Sequence, residues 1–482
     1  MSEDLTGLLA RIRSGPAGPE VLAVFDLSAV LDGFATPSPL RRALPGGERD
    51  ATTRTLLDGY PPTLSDGAYS RYLHRASARL AGRRQDELAA LGTRLFRRGV
   101  YGRLFPEAWH LVHAHLAQGH TVVLVSALTE FQVAPVAAEL GIEHVLCTAM
   151  DTDAEGALTG YVRGKTLWRN GKAQAVRAFA TERGLDLKSG YAYSGATTDQ
   201  PLLAQSAHPV VVNPDRILST AACDHDWPVV SFQRRRDPRF IDYVRTFAGF
   251  AALLVGALSG VLAKSYTRRR RAMADGLMAC GTAATLATLG VRVRVSGGDN
   301  ARSPRPAVFL FNHQSQFDVI IVPYVLRGGV TGIGKKELTR NPIFGPLMRF
   351  VGVTFIDRSS TEKAKAALAP VVGTLRDGLS IAVAPEGTRS YSPAVGPFKK
   401  GAFHIAHQAG VPVIPVVIRN AGDISRRNSM VARAGTVDVA ILEPIDVGDW
   451  DLTDMDERVE QVRKLFVDTM LDWPEPDSPA ER

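Results

Sequence analysis

An apolar stretch in the middle of the chain constrains the fold more than any other feature. Residues 246–263 are eighteen in a row without a charge, slightly fewer than the roughly 20 that a membrane-spanning helix needs. A second apolar stretch, residues 276–291, follows after a short basic connection. We therefore predict a hairpin of two apolar helices, which divides a chain too long for one typical domain.

Arginines flank the first apolar stretch on both sides, in RRRDPR at residues 234–239 and in TRRRR at residues 267–271. Because both ends are basic, the positive-inside rule gives no clear orientation. A hairpin that lies in or dips into one leaflet, with its arginines against lipid phosphates, fits this pattern better than two full spans. A pair of buried core helices in a soluble protein is the alternative.

The charge of the chain limits the classes of partner that it can bind, and its cysteine content limits the kinds of site that it can form. The chain has 57 Lys+Arg and 49 Asp+Glu, a net charge of +8, which favours anionic lipid or nucleic acid. A basic face interleaved with aromatic residues is missing, so we expect no nucleic-acid partner.

Cys147, Cys223 and Cys280 lack the spacing of a disulfide framework or zinc cluster. The N-terminus MSEDLTGLLARIRSG has no apolar core and is not a signal peptide, so we expect the protein at the cytoplasmic face of a membrane.

Strand-like and helical segments alternate on both sides of the hairpin, which predicts an α/β fold for both blocks. The strand-like runs include VLAVFDL and TVVLVSAL before the hairpin, and AVFLFN, SIAVAP and VPVIPVVI after it. The last segment is predicted to be one amphipathic helix with a polar, frayed end. The predicted boundaries are 1–225, 226–290 for the basic linker and two-helix segment, 291–450, and 451–482 for the C-terminal helix and tail.

The second block places His313 and Asp318 just after the strand-like run AVFLF. On a regular helix, residues five apart point roughly 140° from each other, so the two side chains meet only if the chain bends at a strand-to-helix junction. There the carboxylate would bond one ring nitrogen and leave the other free to accept a proton. The pair is a weak signal by itself, but it suggests a general base, worth roughly 10²–10⁴ in rate.

Two more strand-like runs of this block end in polar residues, IDR and PEGTR. Arg358 and Arg389 carry forked donors suited to a phosphate. Gly387 lets the backbone approach a ligand closely, and Thr388 can donate its hydroxyl. Polar groups that follow the strands of an α/β sheet collect at one edge, where ligands bind. The block therefore predicts a phosphate site beside the histidine.

Residues 291–448 resemble the glycerolipid acyltransferases of the lysophosphatidic acid acyltransferase family. Its four motif blocks occur in order: NHQSQFD (312–318), GVTFIDR (352–358), PEGTRS (385–390) and VPVIPV (411–416). GKKEL (334–338) and FKKGAF (398–403) also match.

The resemblance implies that His313 deprotonates a glycerol hydroxyl and that Asp318 orients the imidazole. The alkoxide would attack the thioester of acyl-coenzyme A or acyl carrier protein, converting lysophosphatidic acid to phosphatidic acid at a phospholipid membrane without any other cofactor. The residues implied in holding the substrate phosphate are Lys336, Arg358, Glu386, Gly387, Thr388 and Arg389.

Residues 20–218 resemble the haloacid dehalogenase-like phosphatases, in particular the phosphoserine phosphatase branch. VLAVFDLSAVL is similar to the first motif, VVLVSAL with Ser126 to the second, GKAQAVRAFA with Lys172 to the third, and YAYSGATTDQPLL to the fourth. The resemblance implies a Rossmann-like domain with a helical cap at about 35–105.

The first block departs from this family at the residues that do the chemistry. The family's nucleophile is present as Asp26, but Ser28 replaces the aspartate that acts as acid and base, and a serine hydroxyl has no useful acidity near neutral pH. Gly195 replaces one magnesium-binding aspartate, so only Asp26 and Asp199 remain as ligands if the domain binds Mg²⁺ at all. We therefore predict a degenerate domain with lost or weak phosphatase activity.

Three alternatives stay open. The protein could be truly bifunctional, a phosphatase and an acyltransferase. The first domain could instead be a regulatory module that binds a phosphorylated metabolite. The acyltransferase block could act as a thioesterase if water replaced the glycerol hydroxyl.

Overall fold

The computed structural model describes residues 4–32, 65–233, 237–302, 304–335, 339–340, 344–356, 368–427 and 429–477. The chain forms two compact units, residues 1–236 and residues 237–482. Each contains a seven-stranded sheet with helices, which confirms the α/β class predicted for both blocks.

The strands of the first unit are β1 (Val21–Asp26), β2 (Thr121–Thr129), β3 (His144–Thr152), β4 (Leu158–Arg163), β5 (Asp186–Ser194), β6 (His208–Val212) and β7 (Val229–Val230). Its helices in the described residues are α1 (Leu5–Ser14), α2 (Leu27–Val30), α3 (Asp66–Ala78), α4 (Gln85–Arg98), α5 (Pro106–Ala117), α6 (Glu130–Leu140), α7 (Asn170–Arg183), α8 (Gln200–Leu203) and α9 (Arg216–Asp224). The sheet order is β4-β3-β2-β1-β5-β6-β7, with only β3 and β4 antiparallel among its described pairs.

Strand β1 is central to the first unit and is buried along its whole length, as a near-continuous apolar run in a parallel sheet should be. It pairs with β2 on one side and β5 on the other. Polar residues at the carboxyl ends of these three strands therefore gather at the switch point of the sheet. The predicted cap at 35–105 falls partly on residues 33–64, outside the described residues; its remainder includes α3 and α4.

The strands of the second unit are β8 (Val291–Ser296), β9 (Val308–Phe311), β10 (Val330–Lys335), β11 (Thr354–Ile356), β12 (Ser380–Val383), β13 (Val413–Arg419) and β14 (Gly435–Ile441). Its helices in the described residues are α10 (Phe240–Lys264), α11 (Arg270–Leu289), α12 (Asp318–Leu326), α13 (Phe344–Val351), α14 (Leu368–Arg376), α15 (Gly401–Ala409), α16 (Ala421–Ile424) and α17 (Met455–Leu471). The sheet order is β11-β10-β12-β9-β13-β14-β8, with only β13 and β14 antiparallel among its described pairs.

Helices α10 and α11 form the predicted hairpin, and glycines let them approach closely. A methyl group added at Gly260 would lie 2.0 Å from the carbonyl oxygen of Gly276, so only glycine fits at this crossing. Both helices are long and apolar enough to cross a membrane, by length and composition alone.

One face of the hairpin packs on the rest of the second unit along its length. Leu253 and Leu289 share a core with Phe317, at the start of α12. Further along, Leu277 packs against Phe350 of α13. The hairpin is therefore built into the second unit.

The opposite face of α10 is apolar and exposed. Large side chains recur there at helical spacing, and four of them are Phe240, Phe247, Val255 and Leu262, which are 83%, 80%, 69% and 62% exposed. A core helix of a soluble domain would bury such a face.

The C-terminal tail differs from the frayed end predicted for it. The Asp477 carboxylate accepts backbone N–H groups from Gly297 at 2.9 Å and Gly298 at 2.8 Å, and the Asp477 N–H donates to the carbonyl oxygen of Val295 at 2.9 Å. These bonds fix the tail to the end of β8 through residue 477.

Candidate functional site

His313 and Asp318 meet because the chain bends between β9 and α12. The imidazole Nδ1 lies 2.8 Å from Oδ2 of Asp318, which also accepts the backbone N–H groups of Gln314 and Ser315, both at 2.9 Å. The Asp318 side chain is fully buried, whereas that of His313 is 23% exposed. With Nδ1–H donating to the carboxylate, Nε2 is left to accept a proton from a ligand.

Glu386 connects the backbone of His313 with that of Gly396. Its Oε1 accepts the N–H of His313 at 2.8 Å and its Oε2 accepts the N–H of Gly396 at 2.9 Å. Ser390 donates its N–H to the carbonyl oxygen of His313 at 2.8 Å. Burial raises the pKa of Glu386 to about 7, against the opposing effect of the two N–H groups.

The bonds of Glu386 bear on the role that the resemblance implies for it. The resemblance implied that it holds the substrate phosphate, but both carboxylate oxygens already accept backbone N–H groups. A carboxylate would also repel a phosphate. The structure thus shows Glu386 bonded to the backbone of His313, and its part in holding the phosphate stays a prediction.

The rest of the PEGTR segment follows β12, beside the end of β9. Gly387 has φ of +72°, and a methyl group added there would lie 2.7 Å from Nζ of Lys399. Thr388 is exposed, and Arg389 is half-buried. Lys336 and Arg358 lie outside the described residues, directly after β10 and two residues after β11.

Two further basic residues, which were not among those predicted from the sequence, lie at this site. Lys399 is part of FKKGAF, so a signal was present in the sequence. Arg427 comes from the loop after α16 and donates from Nη2 to the Thr388 hydroxyl at 2.9 Å. In the sequence, Arg427 is one of four arginines between residues 419 and 433 and belongs to none of the motif blocks.

The candidate site of the first unit is a buried group of charges at the carboxyl ends of β1 and β5. Lys172 Nζ donates to Oδ2 of Asp26 at 2.6 Å and to Oδ1 of Asp199 at 2.8 Å. The other oxygens accept the Ser28 N–H and the Ser194 hydroxyl, both at 2.8 Å. All four carboxylate oxygens therefore have a donor from the protein.

The charges of this group shift one another's pKa values. Burial and the neighbouring Asp26 raise the pKa of Asp199 to about 7. Burial alone would raise the pKa of Asp26, but Lys172 outweighs it and the pKa is lowered. Burial alone would lower the pKa of Lys172, and the two carboxylates reverse this.

The hydroxyl groups of Ser28 and Ser126 both form hydrogen bonds with other groups of the protein. The Ser28 hydroxyl oxygen accepts the Gly195 N–H at 2.9 Å and lies 3.2 Å from the Ser194 hydroxyl. The Ser126 hydroxyl oxygen is buried in β2 and accepts the Leu128 N–H at 3.1 Å.

Comparison with known proteins assigns both units. The acyltransferase family model matches residues 292–419, and the haloacid dehalogenase-like hydrolase model matches residues 35–204. The 1-acyl-sn-glycerol-3-phosphate acyltransferase of Salmonella typhimurium is 34% identical over 178 residues, which are 37% of this chain and 72% of that protein. The chain belongs to the 1-acyl-sn-glycerol-3-phosphate acyltransferase family.

Other acyltransferases of this family are matched over a smaller share of their length. The 1-acyl-sn-glycerol-3-phosphate acyltransferase of Saccharomyces cerevisiae is 35% identical over 192 residues, 38% of this chain and 61% of that protein. The chain therefore spans less than two thirds of this relative. Among solved structures, the LPA acyltransferase PlsC from Thermotoga maritima is 25% identical, with 48% of this chain and 98% of that chain covered and a TM-score of 0.42.

This acyltransferase family member thus carries a haloacid dehalogenase-like hydrolase domain before its acyltransferase domain, which confirms the resemblance of each block to its family. Hydrolases of that class use Mg²⁺, but the residues present here do not fit the ion. The described residues hold no cluster of three or more His, Cys, Asp or Glu side chains suited to a metal. A Cβ at Gly195 would lie 2.3 Å from the carbonyl oxygen of Val212, so this backbone does not accept the missing aspartate.

Proposed function

We propose that the protein transfers a fatty acyl group from acyl-coenzyme A or acyl carrier protein to lysophosphatidic acid, giving phosphatidic acid. The observation that carries this proposal is the bend that joins His313 Nδ1 to the buried Asp318 carboxylate and leaves Nε2 open. The matched relatives bear the name of this activity.

In the proposed reaction, His313 Nε2 takes the proton of the acceptor hydroxyl as its oxygen attacks the thioester carbonyl. The tetrahedral intermediate then expels the thiolate, which receives the proton from the imidazolium. Asp318 fixes the tautomer and stabilises the imidazolium. The residues need no cofactor besides the acyl donor for these steps.

The acceptor phosphate is proposed to bind at the PEGTR segment, near the end of β12. Arg389 and Thr388 offer a guanidinium and a hydroxyl there, and the Lys399 ammonium lies over Gly387. The resemblance adds Lys336 and Arg358, from the ends of neighbouring strands. Several cations around one position suit a phosphomonoester.

The exposed face of α10 supports association with a phospholipid membrane. Because the other face of the hairpin packs on the second unit from Leu253 to Leu277, we propose that the hairpin lies in one leaflet rather than spanning the bilayer. The arginines at 268–271 would then meet lipid phosphates. We propose the cytoplasmic leaflet, where the acyl donors are found.

We propose that the hydrolase-like domain has lost its phosphatase activity or retains little of it. Ser28 offers no acid and its hydroxyl is bonded to Gly195 and Ser194. The position of the missing metal ligand is blocked at Gly195. Asp26 and Lys172 are held together as an ion pair.

The test uses membranes that contain the protein, lysophosphatidic acid and labelled acyl-coenzyme A, with His313→Ala as the comparison. We expect labelled phosphatidic acid and free coenzyme A in equal amounts from the wild type, and neither from the variant. Coenzyme A release without an acceptor would show a thioesterase. If the wild type makes no product, acyl carrier protein donors are tested next, and inactivity with both donors would refute the proposal.

A further inference from the structure

Arg427 lies outside the four motif blocks, yet its side chain is bonded to the PEGTR segment. Its Nη2 donates to the Thr388 hydroxyl oxygen at 2.9 Å, and its Nη1 donates to the carbonyl oxygen of Arg389. Arg389 in turn donates from Nη1 to the carbonyl oxygen of Arg427 at 2.6 Å. These reciprocal bonds place each guanidinium group at the main chain of the other arginine.

Tyr391 fixes the plane of the Arg427 side chain. The guanidinium carbon of Arg427 lies 3.9 Å from the centroid of the Tyr391 ring, a distance typical of a cation–π contact. Stacking of this kind limits the rotamers of the arginine before any ligand arrives. The group is therefore preorganised rather than a mobile surface charge.

Arg427 forms no ion pair within the described residues, although its charge acts on the nearby Glu386 and opposes the burial that raises the pKa of that carboxyl. In the part of the chain that the structure describes, no Asp or Glu oxygen pairs with Arg427; its bonds go to a hydroxyl and a carbonyl oxygen. The guanidinium of Arg427 therefore keeps its charge for an anionic ligand.

The hydroxyl of Thr388 completes the arrangement. Its oxygen accepts from Arg427, so its hydrogen remains to be donated, and the residue is exposed. Ser390, two residues further, bonds the carbonyl oxygen of His313 at 2.8 Å. A group that accepts the Thr388 hydrogen would therefore bind close to the general base.

We infer that Arg427 binds an organic phosphate together with Arg389 and orients the Thr388 hydroxyl toward it. The inference rests on the proposed function, because it assumes that these substrates bind at the acyltransferase site. It adds a residue that lies outside the four motif blocks. The phosphate could belong to the phosphomonoester of the acceptor or to the coenzyme A part of the donor. Both present the same anionic oxygens, so the experiment separates them.

The kinetic test measures KM for lysophosphatidic acid and for acyl-coenzyme A in Arg427→Ala, Arg427→Lys, Thr388→Val and the Arg427→Ala/Thr388→Val double variant. A hydrogen bond to a charged group is worth enough that Arg427→Ala should raise KM about 10- to 100-fold for the substrate that carries the phosphate. Arg427→Lys should restore part of the loss, because it keeps the charge but not the fork. In the Arg427→Ala background, Thr388→Val should raise KM little further. Arg292→Ala, which removes an exposed arginine on β8, is the control for net charge.

A rise of KM for lysophosphatidic acid alone assigns the acceptor phosphomonoester, and a rise for acyl-coenzyme A alone assigns the donor. Unchanged KM values for both substrates would overturn the inference, as would a lower kcat accompanied only by a lower melting temperature.

A binding measurement keeps this inference separate from the proposed function. Wild type and Arg427→Ala are titrated with lysophosphatidic acid or monoacylglycerol in nonionic micelles, and with coenzyme A. Even if the wild type makes no phosphatidic acid, weaker binding of one phosphate ligand by Arg427→Ala, with equal binding of monoacylglycerol, would support the role of Arg427. Equal binding of all three ligands would refute it.

Discussion

The two candidate sites lie at the same kind of place, the carboxyl edge of a parallel sheet, but their polar atoms face different partners. In the hydrolase-like domain, Lys172, Asp26 and Asp199 satisfy one another in a fully buried group. In the acyltransferase domain, His313 Nε2 has no bond within the described residues and the side chain is partly exposed. The comparison teaches that a retained motif indicates a working site only where some donors and acceptors remain for a substrate.

The largest effect expected from this comparison is on acyl transfer in Asp318→Asn. An amide in place of the carboxylate can donate to Nδ1, which would move the ring proton to Nε2, and it cannot stabilise the imidazolium. We expect kcat to fall about 10²- to 10⁴-fold with the fold intact. The measurement is steady-state formation of phosphatidic acid, with circular dichroism for the fold.

Asp423→Asn on α16 serves as the matched control, because it makes the same replacement on a carboxylate outside the His313 pair. A loss of less than about threefold in Asp318→Asn would mean that His313 does not depend on this carboxylate, and the role given to Asp318 would be wrong.

The second largest effect is expected on the stability of the hydrolase-like domain, in Lys172→Met. Removing the ammonium leaves Asp26 and Asp199 buried without their common partner, which costs about 3–5 kcal/mol of unfolding free energy in comparable buried pairs. Acyl transfer by folded protein should remain. Chemical denaturation of the full chain, with hydrogen exchange to localise the change to the first unit, measures the loss.

Arg177→Met is the control, because it removes a cation from the exposed side of the same helix, α7. Adding Asp26→Asn and Asp199→Asn to Lys172→Met should recover much of the stability. A loss below about 1 kcal/mol in Lys172→Met would contradict the description of buried carboxylates that depend on Lys172 as their common ion-pair partner.

Much of this arrangement could be predicted from sequence, because it depends on local patterns. The apolar runs VLAVFDL and AVFLFN became β1 and β9. The bend that joins His313 to Asp318 lies at the strand-to-helix junction where the two side chains were expected to be able to meet. The replacements at Ser28 and Gly195 were visible directly.

Other parts depend on contacts between distant residues, which no local pattern records. Arg427 reaches Thr388 across 39 positions of the chain, and Asp477 caps Gly297 across 180 positions. The role of Glu386 was assigned from its motif, whereas its bonds to His313 and Gly396 depend on how the loop closes. The exposed face of α10 could be predicted as apolar, but not which face would remain open.

The two units should also respond differently to acid. Burial, and then His120, hold the pKa of His115 in the first unit well below its usual value. The unfolded chain takes up this proton near pH 6.5, so the stability from neutral His115 is present above that pH and is lost below it, by about 1.4 kcal/mol per pH unit. The effect of Glu386 on stability has the opposite pH dependence. Because burial raises its pKa from 4.5 to about 7, the stability that it contributes is lost as the pH rises between these values.

Hydrogen exchange at pH 5 to 7.5 can follow both units in one experiment. His115→Gln should flatten the loss of protection in β2 and β5 below pH 6.5, and Glu386→Gln should flatten the change around β9 and β12. An unchanged pH profile in His115→Gln would mean that other groups control the acid response of the first unit.

The smallest expected effect is that of Ser28→Ala. The variant removes hydrogen bonds to Gly195 and Ser194, worth about 1 kcal/mol of unfolding free energy, while Asp26 and Lys172 keep their partners. If Ser28 only packs and bonds within the domain, hydrolysis of p-nitrophenyl phosphate should be the same in Ser28→Ala and in the wild type, and Asp26→Asn should leave it unchanged as well. A fall in phosphate release in both variants would mean that the domain still performs phosphoryl transfer, with Ser28 assisting Asp26. The two sites would then no longer differ in whether polar atoms remain for a substrate.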